Sequence, residues 1–270
     1  MDRIAARLAE VPGVVGVMLG GSRARGTERA DSDWDLGVYY RGEVDVPALE
    51  TLAAEVAGGP VEVFPPGAWG AWVNGGAWLP PAGGGASVDW ILRDVDRVRR
   101  VWEECREGRY EIGEQLGHPL GFWSPAYPGE VALGRVLADP SGELTELRRT
   151  VREYPEALRT ALCGRAVGDA EFSVAMAAKA PGRGDVLHAA LCLSRAVGAL
   201  VQALHAHHRV WCLNEKGALA AAAALPGTPP GFARDAAALL GGLGTEEEPL
   251  RRSLERAREL VARVREAVGG

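Results

Sequence analysis

Between Val14 and Tyr40 two apolar stretches are joined by a glycine pair, a serine and a group of aspartates, and few folds accommodate that order. Val14–Leu19 is continuously apolar, the pattern of a buried strand. Gly20-Gly21-Ser22-Arg23-Ala24-Arg25-Gly26 follows, and Asp31-Ser32-Asp33-Trp34-Asp35 then leads into a second strand ending at Tyr40. Alternate strand positions share a face, so Asp33 and Asp35 project together. Asp31 has the same parity, so spacing alone also allows an Asp31–Asp33 pair; the direct run of Asp35 into Leu36-Gly37-Val38 favours Asp33 and Asp35.

Two neighbouring carboxylates repel unless a cation lies between them, and oxygen donors suit Mg²⁺. Gly20 and Gly21 let the backbone approach a phosphate, with Ser22 offering its hydroxyl at the start of a short helix. The two common nucleotide loops are excluded. Gly26 is followed by Thr27 rather than the Lys of a Walker loop, and the Gly-x-Gly-x-x-Gly spacing is absent. A triphosphate carries about four negative charges and the carboxylates add about two or three, against which two Mg²⁺ would supply four positive charges. Arg23, Arg25 and Lys216 are the candidate cations for what remains.

The expected fold class is α+β: a small N-terminal α/β domain with a mixed sheet over residues 1–140, then an all-α helical bundle over 141–270, joined at Asp139-Pro140-Ser141-Gly142. Helices are expected over Ile4–Val11, Pro47–Val56 and Val95–Cys105. Further strands are expected at Val61–Phe64 and Ser87–Leu92, with a hairpin turning at Asn74-Gly75. Beyond Glu143 only helices are expected. The longest covers Asp185–His208 with Leu187, Leu191, Val197, Val201 and Leu204 on its apolar face, and the last starts near Thr245, either with Thr245 and Glu248 as a capping box or with Pro249 at its first position.

A net charge of −6 argues against a nucleic-acid-coating role. The Ala218–Leu225 run is far short of the ~20 residues that span a bilayer, and no signal-peptide pattern opens the chain. Cys105, Cys163, Cys192 and Cys212 stand singly. That pattern fits a cytoplasmic protein with reduced thiols rather than a disulfide framework.

Gly21-Ser22 followed by Asp33-x-Asp35 resembles the signature of the nucleotidyltransferase superfamily, which has the DNA polymerase β-like fold. The resemblance is nearest to the bacterial branch with a helical C-terminal domain that includes the aminoglycoside adenylyltransferases. It implies a third carboxylate on a neighbouring strand, which Asp89 in Ser87-Val88-Asp89-Trp90 would supply, and a Lys in a late helix, matched by Lys216 in Leu213-Asn214-Glu215-Lys216. By the same resemblance, Asp33 and Asp35 hold two Mg²⁺ and Asp89 completes the site. Asp89 as general base is an alternative that its short side chain puts in question. The implied reaction moves a nucleoside monophosphate, AMP from ATP, to a hydroxyl of a small molecule such as an aminoglycoside-like antibiotic, with pyrophosphate leaving. Relatives of this kind often share the acceptor site in a homodimer. AMP transfer to a protein and nucleotide binding without turnover are the alternative functions.

Overall fold

The computed structural model describes residues 1–81 and 85–269 and is α+β. Two compact units are present, one of Met1–Glu104 with Tyr110–Glu153 and one of Cys105–Arg109 with Tyr154 onward. The first unit contains strands β1 (Val14–Leu19), β2 (Trp34–Tyr40), β3 (Gly75–Leu79), β4 (Val88–Asp94), β5 (Ile112–Gln115), β6 (His118–Trp123) and β7 (Arg135–Ala138). Its helices are α1 (Asp2–Leu8), α2 (Gly21–Arg25), α3 (Val46–Ala57), most of α4 (Val95–Arg106), α5 (Ala126–Leu133) and α6 (Glu143–Thr150).

Five strands form one sheet in the order β3-β4-β2-β1-β7, with β2 and β4 parallel and every other pair antiparallel. The sheet is therefore mixed, as expected. Strand alternation gives it two different faces. Leu36, Val38, Tyr40, Trp90 and Leu92 join Val17 and Leu19 in a core shared with Ala5 and Leu8 of α1 and Leu49, Leu52 and Ala53 of α3. The opposite face carries Asp35, Tyr39, Asp89 and Arg93.

Local chemistry sets the helix ends. The Asp45 carboxylate accepts from the Ala48 amide at 3.0 Å and Pro47 sits in the first turn of α3, while Gly58 at φ +73° closes it in the left-handed conformation. Asp139, in the turn expected to join two domains, instead caps α6: its carboxylate accepts from the amides of Leu144 and Thr145 at 3.3 and 2.8 Å.

Several expectations are corrected. Val61–Phe64 makes only an isolated bridge, Phe64 to Gly76. Asn74 does adopt φ +81°, but it leads into β3 rather than forming the tip of a hairpin. The bridges from Phe64 to Gly76 and from Gly70 to Asn74 enclose a longer loop. The β5–β6 hairpin, α5 and β7 were not anticipated, because they are short and their residues show neither period clearly.

The second unit holds α7 (Glu156–Ala177), α8 (Val186–His207), α9 (Ala218–Ala223), α10 (Phe232–Gly241) and α11 (Glu247–Gly269). Their buried Ala, Leu and Val residues form one core, centred on α7, α8 and α11. Leu187 and Leu191 are exposed, contrary to expectation, and α8 turns Ala189, Leu193, Ala196 and Leu200 inward instead. A helix apolar nearly all round offers several faces, and packing selects one. By length and hydropathy α8 matches a membrane span, yet it is a core helix of this unit. α11 starts at Glu247, two residues after Thr245, and Pro249 falls in its first turn rather than at its first position.

Candidate active site

Gly20, Gly21, Asp35 and Asp89 meet at one end of the sheet. β1 finishes there at Leu19, while β2 and β4 begin there. The Gly20 amide donates to the Asp35 carbonyl at 2.7 Å, which extends the β1–β2 ladder by one rung. Gly21 then turns at φ +62°, where a Cβ would lie 1.8 Å from Asp35 Oδ2. The turn thus places bare backbone against the Asp35 carboxylate, and only glycine satisfies both the dihedral and the space. Gly20 is less constrained: its φ is −110°, and a Cβ there would sit 3.6 Å from the Asp35 carbonyl oxygen.

Asp35 pairs with Asp89 in the parallel register of β2 and β4. Directly paired residues share a face about 4.8 Å apart, so these two carboxylates stand side by side. Asp33 lies just before β2, and its Oδ1 accepts a short hydrogen bond from the Ser87 hydroxyl, just before β4. Ser87 thus belongs to the site, although nothing in its sequence context marked it. Its role follows from the strand register alone.

Arg23 is committed within the turn. Its guanidinium donates to the Ser32 carbonyl at 2.6 and 3.0 Å and to that of Asp33 at 3.2 Å, and it stacks 4.2 Å from the Trp34 ring. It therefore steadies the loop that carries Asp33, and the expected phosphate contact competes with that task. Ser22 is half-buried in α2, and Arg25 is exposed at its end. Lys216 belongs to the helical unit, where it is exposed in a turn before α9 rather than in a helix. The Asn214 side chain accepts from the Lys216 amide at 3.0 Å, a local bond that favours a turn over a helix.

Deeper on the same sheet face, Arg93 forms a bidentate pair with Glu130 of α5 at 2.6 and 2.8 Å and donates to the Val73 carbonyl at 2.8 Å. Burial opposes the charge on Arg93, but the Glu130 carboxylate outweighs it and holds the guanidinium above its usual range. The pair ties β4, the strand that carries Asp89, to α5. Burial also raises the Tyr39 phenol on this face.

Residues 1–68 match the nucleotidyltransferase domain family. The glycine turn, Ser22, Asp33 and Asp35 fall inside this nucleotidyltransferase match, whereas Asp89 lies beyond it. A second match, to a domain family of unknown function (DUF4037), covers residues 129–216 and ends at Lys216. Among solved structures, the chain is similar to a nucleotidyltransferase-like protein from Exiguobacterium sibiricum 255-15, at 16% identity and a TM-score of 0.47, over 94% of this chain and 70% of that one. No curated protein matches the chain.

The oxygen donor set of Asp33, Asp35 and Asp89 suits a hard divalent cation. Asp33 is hydrogen-bonded to Ser87 here, and no three acidic, His or Cys side chains stand close enough together, among the described residues, to form a ready coordination sphere.

Proposed function

We propose that the protein is a Mg²⁺-dependent nucleotidyltransferase that moves AMP from ATP to a hydroxyl of a small molecule. The observation that carries this reading is the row formed by Gly21, Asp35 and Asp89, which places bare backbone and two carboxylates on one edge and one face of the sheet. The triphosphate is assigned to the Gly20–Ser22 turn. Asp35 and Asp89 would hold Mg²⁺, with Asp33 as a further oxygen donor.

The bound metal would polarise the α-phosphate and offset charge on the entering and departing oxygens. The acceptor oxygen bonds to the α-phosphorus as the bridge to the β-phosphate breaks and pyrophosphate leaves. Asp89, on the strand farther from the glycine turn, is assigned the hydroxyl proton. Arg25 is assigned to the phosphates, as is Lys216 on the strength of the sequence resemblance. Arg23 acts as a positioning residue for Asp33. The acidic balance of the chain suits a cationic acceptor, and an aminoglycoside-like antibiotic is of that kind.

The test is label transfer from α-³²P-ATP with Mg²⁺, offered aminoglycosides, lincosamides and a protein extract. A labelled small molecule, lost in Asp35→Asn and Asp33→Asn with folding retained, is the expected result. Label on protein would favour a macromolecular acceptor instead. Full activity in Asp35→Asn would remove the assignment.

A further inference from the structure

The row of site residues does not stop at Asp89. On the other side of β4, Trp78 of β3 is the register partner of Asp89 and so shares its face. Trp78 is 58% exposed, an unusual state for a side chain whose burial would remove 150–250 Å² from water. It is also held in place. Its ring stacks on Trp69 with centroids 4.3 Å apart and planes 21° apart, and Phe64 meets it edge-on at 5.7 Å. Gly76, two residues earlier on the same face, makes room for this packing: a Cβ there would lie 2.9 Å from the Trp69 ring and 1.9 Å from the Trp90 carbonyl. Trp69 also walls a cleft of about 890 Å³ between the loop that carries it and the β5–β6 hairpin, where Glu114, Leu116 and His118 form part of the opposite wall.

We propose that this aromatic shelf and the adjoining cleft form the acceptor subsite, and that they take a ring-bearing alcohol that is neutral or cationic. The inference rests on the nucleotidyl-transfer reading above and adds the side of entry and the acceptor class. Across the sheet the order is glycine turn, Asp35, Asp89, Trp78. Strands lie about 4.8 Å apart, so Trp78 stands roughly 14 Å from β1 on the far side of both carboxylates. Entering and leaving oxygens lie in line through the phosphorus. With pyrophosphate leaving toward the Gly20–Ser22 turn, the acceptor hydroxyl enters from the Trp78 side. An exposed, pre-stacked indole offers a flat apolar surface to a sugar or aromatic ring at low ordering cost. Charge narrows the class further: the lining of the cleft includes Glu114 and neither Lys nor Arg, and Trp78, which stacks on the Trp69 of its wall, has the Asp89 carboxylate as its strand neighbour. A phosphorylated acceptor would find no Lys or Arg in that lining to pair with its charge.

The experiment compares the wild type, Trp78→Ala and Trp78→Phe. It measures ATP binding with Mg²⁺ by calorimetry, then the binding and α-³²P labelling of four probes: kanamycin and lincomycin as cationic ring alcohols, phenyl β-D-glucoside as a neutral one, and glucose 6-phosphate as an anionic one. The expected result is use of at least one cationic or neutral probe, an acceptor KM raised about tenfold in Trp78→Ala and largely restored in Trp78→Phe, and unchanged ATP affinity. Equal acceptor KM in Trp78→Ala overturns the shelf. Loss of ATP affinity in that variant also overturns it and makes Trp78 a platform for the base. Preference for glucose 6-phosphate overturns the charge class. ATP binding with no probe bound or labelled overturns the acceptor class while leaving nucleotidyl transfer standing. A wild type that does not bind ATP with Mg²⁺ removes the transfer reading, and this subsite with it.

Discussion

Two adjacent glycines with opposite tolerances allow a sharp test of the turn. At Gly21 an added methyl group would meet Asp35 Oδ2 at 1.8 Å, where ordinary contact begins near 3.4 Å, so the carboxylate must retreat by roughly 1.6 Å. The backbone at φ +62° adds a cost of about 1–2 kcal/mol for any L side chain. At Gly20 the nearest atoms to the same methyl group lie at 3.6 and 3.8 Å, and the backbone is extended. Gly21→Ala is therefore expected to lower stability in urea unfolding by at least about 1–2 kcal/mol, the dihedral cost alone. It should also reduce AMP transfer by about 100-fold, because a displacement of ~1 Å at a reacting group has that effect. Gly20→Ala should stay within about 0.5 kcal/mol of the wild type in the same unfolding measurement, as substitutions without a clash do. The assay pairs urea unfolding with α-³²P-ATP transfer on both variants. Gly21→Ala with wild-type stability and transfer, or Gly20→Ala as destabilised as Gly21→Ala, would refute the close approach of this turn to Asp35.

Further expectations concern the surrounding scaffold. Glu130→Gln leaves Arg93, only 4% exposed, without its counter-charge and should cost about 3 kcal/mol, the lower end for a broken buried pair because Glu130 is 27% exposed. The double variant Arg93→Met/Glu130→Leu should recover much of that loss in the same unfolding measurement, and a fully stable Glu130→Gln would show that the pair is dispensable. His205 is buried in α8 with its Nδ1–H donating to the Val201 carbonyl at 2.9 Å, and burial lowers its pKa below 6.5. The unfolded chain then binds a proton that the folded chain refuses, so stability should fall as pH drops below about 6.5 and level off below the folded pKa. His208 is lowered in the same direction, chiefly by burial. Denaturation midpoints across pH 5–8 in the wild type and His205→Phe, whose slope should be flatter, check this.

The chain itself determined what local pattern can determine. The β1 run from Val14 to Leu19 is strand over its whole length, and α3 and α4 lie within a residue or so of where spacing and end signals put them. The Asp33-x-Asp35 spacing led to a shared face by strand alternation, whereas β2 begins at Trp34, so that alternation covers Asp35 and leaves Asp33 just outside the strand. Tertiary structure decided everything that depended on partners distant in sequence. Asp89 faces Asp35 only because β4 joins β2 in parallel with that register, and a slip of one residue would send its carboxylate into the α1–α3 core. The register of β3 against β4 likewise turned Trp78 outward beside Asp89 while Trp90 was buried, although both tryptophans read alike in the sequence. Gly20 and Gly21 are indistinguishable as letters and differ because the Asp35 carboxylate packs against only one of them. On α8 the spacing placed Val197, Val201 and Leu204 correctly in the core, but with an apolar surface on nearly every side it misplaced the first turns, where packing buried Leu193 and left Leu187 and Leu191 exposed. Sequence periodicity specifies which residues share a face, but only long-range pairing specifies what that face meets.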